Sequence, residues 1–186
     1  MTFLFTIGVI VLLFYYLLPR IQFEEPQGLF HRKDVPLPTS LHPVVEERKE
    51  ELVATVEEKG INIVITEGHR PVERQDKLYE QGRTTEGNIV TYAEGGESYH
   101  NYGLAIDFAL ETEEGRVIWD TEYDGNENGR SDWMEIVEVA KDLGFDWGGD
   151  WENFKDYPHL QMDFGLSIRE LKNGKRPKVE GHAGED

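Results

Sequence analysis

The stretch SYHNYGLAIDFAL, residues 98–110, decides the fold of this chain because it leads a polar loop into an apolar strand. Side chains along a strand point alternately to opposite faces of a sheet. The face that carries Asp107 places this carboxylate between two alanines. The other face is apolar throughout and carries Leu104, Ile106, Phe108 and Leu110. The pattern predicts a strand with one buried face and one face that presents a metal-ligand type of residue.

A second stretch, HLQMDF at residues 159–164, repeats this arrangement. Its predicted apolar face carries Leu160, Met162 and Phe164. The opposite face carries His159, Gln161 and Asp163. Both strands therefore bury one side and offer a ligand-type residue on the other.

His100 stands seven residues before Asp107, in the loop that leads into the first strand. Together with His159, these residues give two nitrogens and one oxygen and leave a fourth position for water. That composition is typical of an open catalytic zinc site. Asp156 precedes His159 by three residues, and a carboxylate there could take a proton from the attacking water and pass it to a leaving amine.

The elements around these stretches do not follow a regular βαβ rhythm. Helical patterns, each with a Gly or Pro signal at an end, cover residues 41–58, 71–81 and 131–143, with a short helix from Ser167. Strand patterns cover residues 61–68, 103–110, 116–119 and 159–164. The sequence therefore predicts an α+β fold with a small central antiparallel sheet flanked by helices and preceded by an N-terminal hydrophobic helix.

The amino-acid composition excludes several kinds of chemical site and partner. The 186 residues include no cysteine, so disulfides, thiolate metal sites and cysteine nucleophiles are excluded. The formal net charge is −18, with 19 Lys and Arg against 37 Asp and Glu. A surface this acidic repels phosphates, which disfavours a nucleic-acid partner.

The motifs resemble those of the zinc D-Ala-D-Ala peptidase family, also described as VanY-like. SYHNYGLAID (98–107) looks like the family motif S-x-H-x-x-G-x-A-x-D, and DYPH (156–159) looks like its downstream (E/D)-x-x-H. EGHRPVERQDKLYEQGRT (67–84) and GFDWGGDW (144–151) are similar to segments of the L-alanyl-D-glutamate endopeptidases of bacterial cell walls and phage endolysins. The resemblance covers residues 40–170.

By position, this resemblance implies zinc ligands at His100, Asp107 and His159 and a general base and acid at Asp156. It implies that Arg70 steadies the developing oxyanion, and that Gln75 and Ser98 contact substrate.

The activity that the resemblance implies is hydrolysis of the L-Ala–D-Glu bond in peptidoglycan stem peptides. Two alternatives stay open, a D-alanyl-D-alanine carboxypeptidase and a non-catalytic peptidoglycan-binding module. Many carboxypeptidases and dipeptidases of the family have Glu at the position of Asp156, so the shorter side chain favours the endopeptidase branch.

A second metal motif lies at residues 124–135, where DGNENGRSDWME fits the calcium-loop pattern D-x-[DN]-x-[DN]-G-x5-E. The expected calcium ligands are Asp124, Asn126, Asn128, Glu135 and the carbonyl of Arg130, with Asp132 through water. The alternative is an Asn/Gly-rich turn capped by Ser131 or Asp132. On this loop alone the chain would be a calcium-dependent surface protein.

The first 18 residues, MTFLFTIGVIVLLFYYLL, carry no charged side chain. We interpret residues 1–20 as a membrane anchor or uncleaved signal, 21–40 as a Pro-containing stalk, 41–175 as the peptidase domain and 176–186 as a polar tail. Because basic residues lie only on the C-terminal side of the apolar run, the positive-inside rule places the domain in the cytoplasm. The expected substrate overrides that cue and predicts a membrane protein with an extracytoplasmic domain, secreted if the signal is cleaved.

Overall fold

The computed structural model describes residues 35–178, which all belong to one compact unit. Its helices are α1 (Pro43–Glu57), α2 (Val72–Glu80), α3 (Asp132–Asp142) and α4 (Ile168–Lys172). Its strands are β1 (Asn62–Glu67), β2 (Ala105–Glu111), β3 (Val117–Ile118), β4 (Asp146–Trp147) and β5 (His159–Gln161). Two 3-10 turns cover Tyr99–Tyr102 and Gly148–Asp150. Within residues 35–178, each predicted helix and strand is present within a few residues of its expected bounds.

The strands form one sheet in the order β1-β2-β5-β4, with β3 paired to β2, and every pair is antiparallel. This confirms the predicted α+β fold with a central antiparallel sheet. β2 lies between β1 and β5. In this register Asp107 of β2 stands directly opposite His159 of β5.

The predicted apolar face is buried, since Ile106, Phe108 and Leu110 of β2, and Leu104 just before the strand, are at most 1% exposed. They pack in the core with residues of α1 and α3. The indole of Trp133, in the first turn of α3, lies 4.6 Å from the ring of Phe108. The second face of β2 is left to form the site.

A glycine controls the entry to β2. Gly103 follows the first 3-10 turn with φ at +66°, a conformation that side chains disfavour. A Cβ at this position would lie 2.3 Å from the carbonyl oxygen of Ser40, so no larger residue fits. The turn that carries His100 can therefore run straight into the strand that carries Asp107.

The last strand is shorter than predicted. β5 ends at Gln161, and Phe164 has φ at +52° and is 40% exposed. The chain turns here because the Asp163 carboxylate accepts the amide N–H of Gly165 (2.7 Å) and its carbonyl accepts that of Leu166 (2.9 Å). The prediction that one strand face continues to Phe164 is wrong.

The predicted localisation at a membrane is corrected. The expected N-terminal hydrophobic helix and anchor, residues 1–20, lie outside the described residues, as does most of the predicted stalk. Within residues 35–178, no helix is long and apolar enough to cross a membrane. The longest, α1, has 15 residues and is rich in charge, whereas a span needs about 20 predominantly apolar residues.

Candidate active site

The three predicted zinc ligands come together on the second face of the sheet. The Oδ1 atom of Asp107 lies 3.1 Å from Nε2 of His100 and 3.2 Å from Nδ1 of His159. The two ring nitrogens are 3.1 Å apart. In the part of the chain that the structure describes, no other His, Asp and Glu residues form a group of three with ligand atoms within 4.8 Å of one another.

The outer nitrogen of each histidine ring is held by an acceptor. Nδ1 of His100 lies 2.7 Å from the carbonyl oxygen of Gly68, and Nε2 of His159 lies 3.0 Å from Oε1 of Gln161. Each of these nitrogens must carry a proton in order to donate, so in the neutral rings the inner nitrogens carry lone pairs. Three acceptor atoms therefore meet with no proton between them.

This donor set fits zinc. Zinc takes imidazole nitrogen and carboxylate oxygen at about 2.0–2.2 Å, so a tetrahedral ion would hold its ligand atoms about 3.3 Å apart, close to the spacing found here. Histidine ligands of metals also donate their second N–H to a carbonyl or carboxylate, as both do here. His100, Asp107 and His159 could therefore hold the metal, with a fourth position open towards the cleft.

Asp107 also connects the predicted metal ligands to Arg70. Its second oxygen, Oδ2, accepts a hydrogen bond from an Nη atom of Arg70 at 3.1 Å. Burial works against ionisation of Asp107, but when an inner imidazole nitrogen of His100 or His159 carries a proton in place of a metal it donates to this carboxylate, and this holds the pKa of Asp107 far below its ordinary value. Asp107 is therefore an anion that faces the metal position on one side and a guanidinium on the other.

Arg70 is also held by Gln75 and Glu67. One Nη atom donates to Oε1 of Gln75 at 2.9 Å, and Nε forms an ion pair with a carboxylate oxygen of Glu67 at 3.4 Å but makes no hydrogen bond. The side chain is 10% exposed and its exposed part lines the cleft. Arg70 is thus held in one orientation beside the metal ligands.

Gln75 is fully buried in α2. Its amide accepts from Arg70 and donates to the carbonyl of Ala93 at 2.8 Å, with Thr91 Oγ1 at 3.4 Å. The residue connects Arg70 to the loop that forms one wall of the cleft. Its predicted contact with substrate stays a prediction, and the structure gives it a positioning role.

Ser98 begins the 3-10 turn that carries His100. Its Oγ accepts the amide N–H of His100 at 3.3 Å, while its own N–H donates to Oδ1 of Asn101 at 3.3 Å. The side chain of Asn101 then donates to the carbonyl of Arg70 at 2.8 Å. Ser98 lines the cleft, so its predicted substrate contact stays open.

Asp156 lies in the same cleft and is partly buried. Burial raises the pKa of its carboxyl, and the charge of Asp107 raises it further, while the neighbouring His159, His100 and Arg70 favour the ionised form. The carbonyl of Asp156 accepts the amide N–H of His159 at 3.2 Å. The predicted base and the predicted ligand thus share one turn of chain.

The cleft has a volume of about 750 Å³. Its floor is polar and holds the residues described above. Its walls include four aromatic rings, those of Tyr92, Trp119, Trp151 and Phe154. The rings of Tyr92 and Phe154 meet edge to face at 5.2 Å, and Trp151 lies 5.1 Å from His159. Sequence reasoning missed these walls, because the four rings come from three separate segments of the chain and only Trp151 and Phe154 share one.

It also missed the contacts behind the histidines. Gln161 could have been found, because it shares a strand face with His159 two residues away. The carbonyl of Gly68 carries no signal in the sequence, since any residue supplies a carbonyl.

Comparisons with known proteins bear directly on this site. Residues 91–162 match the M15 peptidase family model described as D-alanyl-D-alanine carboxypeptidase. Over 130 residues the chain is 65% identical to the peptidoglycan L-alanyl-D-glutamate endopeptidase CwlK of Bacillus subtilis strain 168. This alignment covers 70% of this chain and 78% of CwlK. The chain belongs to the M15 family of metallopeptidases. The predicted resemblance is confirmed.

Two further similarities are more distant. This M15 peptidase is 35% identical over 91 residues to the L-alanyl-D-glutamate peptidase of Listeria phage A118. This alignment covers 47% of this chain and 30% of the phage protein. Among solved structures, the L,D-carboxypeptidase DacB of Streptococcus pneumoniae aligns with a TM-score of 0.49 and 21% identity. That alignment covers 77% of this chain and 75% of DacB.

Proposed function

We propose that this M15 peptidase hydrolyses the L-Ala–D-Glu bond of peptidoglycan stem peptides with a zinc ion held by His100, Asp107 and His159. The observation that carries the proposal is the meeting of three acceptor atoms at 3.1–3.2 Å beside Asp156 in one open cleft. The choice of bond is supported by the 65% identical relative, whose name states that specificity. The partner is therefore peptidoglycan.

Zinc bound there lowers the pKa of water to about 7 and polarises the peptide carbonyl. Asp156 is placed to accept a proton from the attacking water and to return it to the leaving amine of D-Glu. Its position in the cleft, next to His159, keeps this carboxylate close to the scissile bond.

Arg70 supplies positive charge where the carbonyl oxygen becomes negative. Its guanidinium is fixed by Asp107, Gln75 and Glu67 before substrate arrives, so little reorganisation is needed during the reaction. Ser98, at the cleft surface, is placed to contact the peptide. Gln75 acts behind Arg70 and holds it against the cleft wall.

A second candidate activity is removal of a terminal D-Ala from the stem peptide. It is favoured by the description of the family model, which matches residues 91–162 as a D-alanyl-D-alanine carboxypeptidase. Both reactions use the same ligands and base, so the fragments formed from substrate must separate them.

The test is mass spectrometry of purified muropeptides after digestion by the full chain loaded with zinc. We expect a new fragment that begins at D-Glu. In Asp156→Asn this product should form about 10²–10⁴-fold more slowly although zinc is retained. The matched control is Asp150→Asn, because Asp150 is a neighbouring exposed aspartate that pairs with Lys141.

Loss of only a terminal D-Ala would assign the carboxypeptidase activity and overturn the choice of bond. No cleavage by a zinc-loaded chain that still binds muropeptides would leave a peptidoglycan-binding module. Full activity of Asp156→Asn would remove Asp156 from the reaction.

A further inference from the structure

The calcium-loop motif at residues 124–135 follows β3 and ends in the first turn of α3, and the proposed peptidase activity does not use it. In the structure this segment folds back on itself. The Asp124 carboxylate accepts the amide N–H groups of Asn128 (3.1 Å) and Gly129 (2.9 Å). Asn126 Oδ1 accepts the N–H of Asn128 at 3.1 Å, and Asn128 Oδ1 accepts that of Arg130 at 2.8 Å. The side chains at the first, third and fifth positions of the motif are thus drawn into one tight loop.

The last residue of the motif reaches back to the same loop. Glu135 lies in the first turn of α3 and is only 4% exposed. Its Oε2 atom accepts from the side-chain amide of Asn128 at 2.6 Å, with that of Asn126 at 3.5 Å. A half-turn of either amide about its last torsion would place an oxygen where the nitrogen now lies. The third, fifth and twelfth positions are therefore already in contact.

A separate observation concerns Asp132, the ninth position. The residue is 2% exposed, and its Oδ2 atom accepts the amide N–H of Gly125 at 2.9 Å. Its Oδ1 atom is buried and has no hydrogen-bond partner among residues 35–178. A buried carboxylate oxygen without a donor is unfavourable unless a cation lies close to it.

We propose that residues 124–135 bind one calcium ion, at a second metal site separate from the His100, Asp107 and His159 cluster. The direct ligands are Asp124, Asn126, Asn128, Glu135 and the carbonyl oxygen of Arg130. Asp132 completes the site through water, which satisfies its unpartnered oxygen. All of these ligands are oxygens, which suits calcium, whereas zinc and copper favour nitrogen and sulfur.

The spacing of the carboxylates agrees with a water-mediated ninth position. Asp124, Asp132 and Glu135 do not lie mutually within 4.8 Å. In loops of this type the ninth residue often reaches the ion through water, so its oxygen lies outside the directly bound set. The three carboxylates and the Arg130 guanidinium, which lies 3.4 Å from Oε1 of Glu135, give the site a formal charge of −2 with which to attract a divalent cation.

An ion at this loop would stabilise the core under the active site. The loop runs directly into α3, whose Trp133 packs on Phe108 at 4.6 Å. Phe108 is the next residue along β2 after Asp107. We therefore expect the main effect of calcium to be on thermal stability rather than on the chemical step.

The experiment uses the full chain, first freed of all metal by a chelator and then reloaded with zinc in buffer free of chelator and calcium. Isothermal titration calorimetry with calcium chloride should show one ion per chain, with a dissociation constant roughly between 10⁻⁷ and 10⁻³ M. The melting temperature should rise by several degrees in calcium and much less in the same concentration of magnesium.

Glu135→Gln should weaken calcium binding at least tenfold. Glu138→Gln is the matched control, because Glu138 lies on the same helix and pairs with Arg130 but is exposed. It should bind calcium as the wild type does. Equal binding by Glu135→Gln, or no calcium binding by the wild type, would overturn the proposal.

Asp132→Asn separates an ion site from a merely structural loop. Without calcium this variant should melt at or above the wild-type temperature, because it removes a buried charge. With calcium the order should reverse, since only the wild type gains the full stabilisation. A variant that melts below the wild type to the same extent in both buffers would contradict the assignment.

Discussion

Gly148 packs against Asp156 so closely that a Cβ at residue 148 would lie 2.4 Å from the Asp156 carbonyl oxygen. The same Cβ would come within 3.1 Å of the Cβ atoms of Asp156 and His159. The amide N–H of Asp156 donates to the carbonyl of Gly148 at 3.1 Å, so the two segments are bonded as well as packed. A residue without a side chain therefore sets the position of both the proposed base and a metal ligand.

Gly148→Ala should displace the turn that carries Asp156. We expect kcat to fall about tenfold or more, because small misplacements of a reacting group are costly, and stability to fall by about 1–3 kcal/mol from overpacking. Muropeptide hydrolysis and thermal melting measure the two effects.

Gly68→Ala is the control for this change. Gly68 also adjoins the site, through the carbonyl that holds His100, but alanine keeps that carbonyl, and the atoms nearest to a Cβ at residue 68 are those of Leu41, at 3.6 Å, which is an ordinary contact. It should keep nearly full activity. Equal losses in both variants would show that any added methyl group near the cleft is harmful and would remove the specific role of Gly148.

Gln161 should strengthen the binding of zinc by orienting the ring of His159. In Gln161→Leu, Nε2 of His159 loses its acceptor at 3.0 Å, so the ring is no longer held in the tautomer that points a lone pair at the metal. We expect the affinity for zinc to fall about 10–100-fold, measured by competition with a chelating dye. His159→Ala, which removes the ligand itself, should lose zinc altogether. An unchanged affinity in Gln161→Leu would refute this role.

Arg70→Lys should lower kcat/KM by roughly 10²–10³-fold with zinc retained. A lysine ammonium cannot hold Asp107 and Gln75 with the two parallel donors that a guanidinium provides. Arg74→Lys is the matched control, because Arg74 is 55% exposed and pairs with Glu67 outside the metal cluster. Equal activity of the two variants would contradict the proposed role of Arg70 in stabilising the oxyanion.

Lowering the pH should reduce the stability of the C-terminal part of the domain, at α4. Glu170 caps this helix, and its hydrogen bond from Lys175, with further bonds from Ser167, lowers the pKa of its carboxyl from 4.5 to about 2. A lowered pKa means that the stabilisation is complete above pH 4.5 and is lost as the pH falls towards 2.

The melting temperature of Glu170→Gln should therefore lie below that of the wild type by a constant amount above pH 4.5, and the gap should close on acidification. Glu50→Gln, at an exposed position of α1, serves as the reference. A gap that stays constant down to the lowest pH at which the protein remains folded would show that the Glu170 charge contributes nothing.

Local pattern was enough to predict most elements within residues 35–178 and to single out the three residues that the structure brings together as candidate metal ligands. The alternation of side chains in GLAIDFAL needs only the geometry of one strand, and it placed Asp107 opposite the core face. Glycine, proline and serine at element ends act within a few residues, which is why the bounds of α1 and α3 were close to those observed. The end of β5 was misjudged because the turn at Asp163 depends on side-chain acceptors that apolar alternation does not report.

The sequence by itself determined which residues can carry the chemistry, because residue type and local spacing fix what His100, Asp107, His159 and Asp156 are able to do. Only the tertiary structure decided how they do it. The register of β2 against β5 sets Asp107 opposite His159, and the contacts from Gly68 and Gln161 choose the ring tautomers. These contacts join residues that are far apart in the chain. The distances between them are therefore set by strand pairing and packing, and local sequence preferences do not determine them.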